Sequence, residues 1–438
     1  MEEAPVGDRG SEYPNGPSPS ASVVMGKGYE QPGDVDKPRM RRWVPGVVQL
    51  ARPDGTLDLG PGHLDPALLP VGLLRAAYQH AFAEYGSAAL TYGNNQGPAP
   101  LRAALAARLA RLEQVACGPE HVLVTAGTSS MLDLLARVHG RPGDVVLTEA
   151  STYDLGRRIF RDRGLRLRGV SMDSAGMDPA ALEVAVAAQR AAGRRIAFLY
   201  VVPTFHNPTG LLVPQERRQE LLEVSRRHGI LVVEDDAYAD LAFDAGVAVR
   251  SLATMAGFRG VLGLRTFSKS LAPGLRLGWL VGDPRAVHRL SASATFTSGG
   301  GLNHLAAVAV AGLVEDGAYE RHVAWLRQQL RARRDALVGT LGAALPVGFQ
   351  AGYPGGGLFS WVRLPKGPPE AAFLDAAERA GVRVAAGSRF GRSTGPAVRL
   401  CFSFYGPAHL VEAAERLAAA WRRTAGSATA LQRSFSGG

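Results

Sequence analysis

The sequence predicts an α/β fold: a mainly parallel sheet with flanking helices, followed by a smaller α+β unit. Short β-branched runs alternate with stretches of helical period, polar clusters sit where the runs end, and the pattern changes after about residue 310. Residues 122–125 read as a strand, and Met131, Leu134, Leu135 and Val138 follow at helical spacing. Residues 145–147 form the next strand; a helix separates them from a third strand at 196–202. Residues 216–227 are helical, and 230–233 and 261–264 are strands. Beyond 310, residues 318–340 form a long arginine-rich helix. Residues 357–364, 382–384 and 398–402 are strand-like, and a last helix runs from about 409 to 423. The expected organisation is a large domain over 76–310 and a small one over 311–425, with a segment over 41–75 packing on the small domain. Tails at 1–40 and 426–438 lack apolar periodicity, are rich in Gly and Ser, and are expected to be disordered.

A chain of 438 residues has ample core, and 46% hydrophobic with 20% charged residues is ordinary for a globular protein. No apolar stretch reaches the length of a membrane helix, and the acidic start, Met1 to Pro5, is no secretory signal, so a cytoplasmic location is expected. The net charge of +10 would suit nucleic acid. Yet the arginines are scattered along helical segments, as at Arg102, Arg108 and Arg111, and lysine is scarce; this is compositional bias, and no nucleic-acid partner is expected. Cys117 and Cys401 provide neither a disulfide framework nor a metal cluster.

Of the 49 Lys and Arg residues only four are lysines, and only Lys269 lies in an apolar segment, residues 261–279. Arginine stays protonated, whereas a desolvated lysine can lose its proton and form a Schiff base with an aldehyde cofactor. Other polar clusters fall at or after strand ends, where open α/β sheets bind ligands. Thr125 to Ser130 offers hydroxyls and backbone N–H groups at a helix start, suited to phosphate or to simple capping. Asn207-Pro208-Thr209-Gly210 reads as a turn. In Glu234-Asp235-Asp236-Ala237-Tyr238 the consecutive carboxylates are costly without a cation or a shared proton, unless they cap a helix. Thr266, Ser268 and Arg276 could hold a phosphate beside the lysine. Arg399, on an otherwise apolar strand, needs an anionic partner, either a ligand carboxylate or a structural ion pair.

The joint order of these motifs, from Gly60-Pro61-Gly62 and Tyr92-Gly93 through N-P-T-G, D-x-A-Y and S-K-x6-R to Arg399, resembles the fold-type I pyridoxal-phosphate (PLP) aminotransferases of class I/II. It is most similar to the aminoadipate and aromatic aminotransferase branch, which is related to the aminotransferase half of GntR-type regulators. The resemblance implies a mainly parallel sheet of the seven-stranded type. It implies that Lys269 holds PLP as a Schiff base and shuttles the substrate proton, and that Asp235 pairs with the pyridine nitrogen, leaving Asp236 structural. Tyr238 and Asn207 would bond the phenolic oxygen, and Tyr153 would stack on the ring. Thr128, Ser129, Ser268 and Arg276, with Thr266, would bind the phosphate. Tyr92 would reach the phosphate of a neighbouring subunit in a homodimer. Arg399 would clamp the substrate carboxylate, with Asn207 and Gly62 in the substrate pocket. The implied reaction moves an amino group from an L-amino acid to a 2-oxo acid by way of the amine form of the cofactor. Elimination, cyclisation, decarboxylation or oxidation on the same fold is the alternative. A non-catalytic regulator is disfavoured, because about 40 residues before the body are too few for a winged-helix domain. Four features depart from the family pattern: His206, Ser129, the glycine run at 299–301, and the extra cation Arg389.

Overall fold

A computed structural model describes residues 49, 54–244, 250–391 and 395–435. The tail expected at 1–40 lies outside these residues.

Seven strands build the main sheet: β1 (Val122–Thr125), β2 (Val145–Glu149), β3 (Arg166–Val170), β4 (Ile196–Val201), β5 (Val232–Asp235), β6 (Val261–Thr266) and β7 (Gly278–Val281). Their order is β1-β7-β6-β5-β4-β2-β3. All pairings are parallel except those of β7 with β1 and β6. Alternate residues feed two separate cores, Val122 and Val124 one face and Leu123 the other, because both faces are covered. This double burial explains the nearly continuous apolar runs in the sequence. Two strands carry too weak a pattern to be predicted. Arg166–Val170 is an edge strand with mostly exposed, polar residues. Gly278–Val281 is short, opens with glycine and runs antiparallel within a parallel pattern.

A second sheet follows: β8 (Gln350–Ala351), β9 (Phe359–Arg363), β10 (Ala385–Ala386) and β11 (Ala397–Cys401), antiparallel in the order β8-β9-β11-β10. Its core joins Leu57, Leu59, Leu64 and Leu68 to Phe373, Leu400 and Trp421. Leu57–Asp58 pairs in parallel with Val382–Arg383, and Cys401 donates its N–H to the Leu59 carbonyl. The chain just before Gly60 is thereby clamped to the second sheet. The last helix is longer than the sequence indicated. It spans Pro407–Phe435, which corrects the disordered tail expected from 426 as far as residue 435. Ala425, Ala428, Ala430, Leu431 and Gln432 are strong helix formers and outweigh Gly426 and Ser427.

Candidate active site

The carboxyl ends of β1, β2, β4, β5 and β6 open onto a cavity of about 780 Å³, roofed by the second sheet and by residues 58–63. The structure brings Gly62, Thr128, Ser129, Tyr153, Asn207, Asp235, Tyr238, Thr266, Ser268, Lys269, Arg276 and Arg399 to its wall. Tyr92 lies outside this cavity and is 85% exposed.

Lys269 sits three residues past the end of β6, and its Nζ donates to the Gly62 carbonyl at 2.9 Å. Burial lowers its pKa below the ordinary lysine value; Arg399 and Arg276 act in the same direction and Asp235 opposes them. Asp235 ends β5, and burial raises its carboxyl to a pKa of about 6. One oxygen accepts from the Tyr200 hydroxyl at 2.8 Å, while Oδ1 is buried and has no partner among the described residues.

The three acidic residues divide by the two-residue period of a strand. Glu234 and Asp236 face away from Tyr200. Arg265 pairs with Glu113 and, at 3.1 Å, with Asp236; Arg218 lies 3.5 Å from Glu234. Glu234 also accepts from the Leu252 and Ala253 N–H groups. The cations that the acidic run requires are thus supplied from β6 and the helix Gln215–Arg227. Arg265→Leu leaves Glu113 and Asp236 without their shared cation. It is expected to destabilise the fold by about 3–5 kcal/mol, read as a shift in the denaturation midpoint.

Arg276 reaches across to the start of the helix Thr128–His139. Its Nη1 lies 3.5 Å from the Ser268 hydroxyl and its Nη2 donates to the Ala126 carbonyl. A Cβ at Gly127 would stand 2.7 Å from that Nη2, and Gly127 also has a φ of +83°, so glycine is required there. Arg276 itself is left-handed (φ +47°), and the Asn303 amide donates to the carbonyls of Leu275 and Arg276 and so fixes this turn. Hydroxyls, helix N–H groups and a guanidinium therefore converge as an anion cradle.

Arg399 lies at the opposite end. It donates to Asn207 Oδ1 at 2.7 Å and to the Gly60 carbonyl at 2.6 Å, between the rings of Phe359 and Phe390, 4.0 and 4.5 Å away. Among the described residues no carboxylate pairs with it, although it is only 5% exposed. The structural ion pair is therefore not made. Phe359 and Phe390 were not foreseen, because nothing in sequence marks two phenylalanines as the walls of one guanidinium slot. A Cβ at Gly62 would stand 2.6 Å from the Phe359 ring, so Gly62→Ala should displace that wall and raise KM several-fold in steady-state assays.

Three of the four features that depart from the pattern find physical accounts. His206 is buried, accepts or donates at Thr209 Oγ1 (2.7 Å), and burial drops its pKa to about 3, so it stays neutral. The 299–301 run packs against Gly93 and Asn94, where a Cβ on Gly300 would stand 2.1 Å from the Gly93 carbonyl. Arg389 lines the cavity mouth but donates to Asp154.

Three of the polar features of PLP are its ring nitrogen, its phosphate and its aldehyde. The orphaned Asp235 oxygen, the Arg276 cradle and the desolvated Lys269 amine match them in one cavity. Fold and site together define a PLP-dependent enzyme.

The family model for aminotransferase class I and II matches residues 56–417, and the chain belongs to that family. The 2-aminoadipate transaminase of Thermus thermophilus is 33% identical over 80% of this chain and 83% of its own length. Aromatic-amino-acid aminotransferase 1 of Thermococcus litoralis is 29% identical, covering 85% and 89%. The kynurenine aminotransferase structure from Pyrococcus horikoshii superposes with a TM-score of 0.78 at 31% identity, covering 84% and 91%. This protein is a PLP-dependent aminotransferase, acting on amino acid and 2-oxo acid substrates. Among the described residues no helix is long and apolar enough to cross a membrane.

Proposed function

We propose that Lys269 is the residue that holds PLP and moves the proton, and that Arg399 binds the α-carboxylate of the L-amino acid and of the 2-oxo acid in turn. The observation that carries this reading is a buried guanidinium that pairs with no carboxylate among the described residues, sharing a cavity with a desolvated amine. Bound PLP supplies an electron sink for the charge that develops at the substrate α-carbon. Asp235 holds a proton at the ring nitrogen. Asn207 and Tyr238 bond the phenolic oxygen, and Tyr153 covers one ring face. Thr128, Ser129, Ser268 and Arg276, with Thr266, hold the phosphate. Arg399 orients the α-carbon toward Lys269, whose depressed pKa keeps a neutral amine available as base. The Phe359 and Phe390 rings keep water from the guanidinium and so strengthen its grip on a carboxylate.

The same reading makes the protein a cytoplasmic homodimer in which Tyr92, exposed in the single chain, reaches the partner's phosphate site. It also divides the chain near residue 310 into a cofactor-binding and a small domain.

The test is a visible titration of the PLP-loaded protein. One L-amino acid should bleach the cofactor band without oxygen, and a 2-oxo acid should restore it. A band that changes only when oxygen is admitted, or that no 2-oxo acid restores, would overturn transamination by this site.

A further inference from the structure

Asp235 is held from behind by a residue that the cavity does not touch. Tyr200 lies on β4, one strand over from β5, is 0% exposed, and is not among the cavity-lining residues. Its hydroxyl donates to Asp235 Oδ2 at 2.8 Å, leaving Oδ1 as the unpartnered oxygen of a carboxylate on the cavity wall. The Tyr200 ring is fixed edge-on against Phe160 at 5.2 Å. The phenol is thus locked in place with one polar function, donation to Asp235.

We propose that Tyr200 is a positioning residue that acts on the cofactor through Asp235: its hydroxyl satisfies one carboxylate oxygen, so that the other is presented as the acceptor for the ring nitrogen. This rests on the reading that PLP occupies the cavity with its ring nitrogen at Asp235.

Without the Tyr200 donor, the buried carboxylate would keep only the Ala237 N–H and the ring nitrogen as partners. Its proton affinity rises, and the shared proton moves from the ring nitrogen toward Asp235. A less positive ring withdraws less charge from the attached Lys269 nitrogen, which then keeps its own proton to higher pH. Burial already lifts the Asp235 pKa, and the Tyr200 bond opposes that lift. The charged and titratable groups around Asp235 are Asp236, just past the end of its strand, Lys269 after β6, Glu149 at the end of β2, and Tyr153 and Tyr238 beyond the strand ends. Besides Asp236, which is paired with Arg265, Glu149, raised to about 7, is a carboxyl that could mimic the effect. Its own partners are the Val202 N–H and the Thr152 hydroxyl, which a change at Tyr200 leaves in place.

The experiment is Tyr200→Phe in the PLP-loaded enzyme, with two readouts. The pH midpoint of the visible absorption change should rise by roughly one unit, the scale of one hydrogen bond to a charged group. The kcat should fall about tenfold with KM within about twofold of the parent. Replacement of Tyr200 by 3-fluorotyrosine, a stronger donor of nearly the same shape, should lower the midpoint, and it decides the matter if the phenylalanine variant does not fold. An unmoved midpoint in both proteins, beside a shifted midpoint in Asp235→Asn, overturns the role of Tyr200 alone. An unmoved midpoint in Asp235→Asn removes the placement of the ring nitrogen, and the inference with it.

Discussion

Lys269→Ala is expected to lower turnover by about 10³-fold or more, while the thermal unfolding temperature of the apoprotein stays near that of the parent. The two expectations come from different facts. Activity falls because, among the described residues, Lys269 is the lysine that lines the cavity, and Lys366 does not reach it. Stability survives because the amine makes one hydrogen bond, to the Gly62 carbonyl, and its desolvation is a cost that alanine removes. Such a trade is common where a buried charge serves chemistry rather than folding. Single-turnover kinetics with a preloaded cofactor and a melting curve measure the two arms. Turnover within about tenfold of the parent would falsify the assignment of Lys269.

Arg399→Ala should raise KM for both amino acid and 2-oxo acid by about two orders of magnitude, ~3 kcal/mol, with a smaller effect on kcat. Truncation removes a planar donor pair held between two rings, so Arg399→Lys should recover only part of the loss. Amines without a carboxylate provide the control, because their weak reactivity should not change. If KM for carboxylates is unchanged, Arg389 is the next cation at the cavity, and it would first have to leave Asp154.

Much of this site is legible in the amino-acid sequence. Lys269, Asp235 and Asn207 stand at or past the ends of parallel strands, and strand ends are visible as the edges of β-branched runs. Their convergence follows from the parallel sheet alone, since all parallel strands finish on one side. Other features depend on which strands become neighbours. Tyr200 reads as one more apolar position of β4, and only its adjacency to β5 turns its hydroxyl toward Asp235. Arg265 likewise reads as a stray charge inside β6 until Glu113 and Asp236 are placed beside it. The antiparallel β7 is hidden because direction leaves no mark on so short a run.

The carbonyls of Gly60 and Gly62 meet Arg399 and Lys269 across 339 and 207 residues of chain. On a ribosome the segment carrying them emerges first and its sheet partners last. The main sheet can close once β7 has been made, at residue 281, with Lys269 and Asp235 already in register. The roof cannot close until Cys401 has left the exit tunnel and donated its N–H to Leu59. During that interval a nascent chain would expose a lysine, a carboxylate and an anion cradle with no arginine above them. Completion of the pocket therefore waits on a loop closure far longer than any within the main sheet.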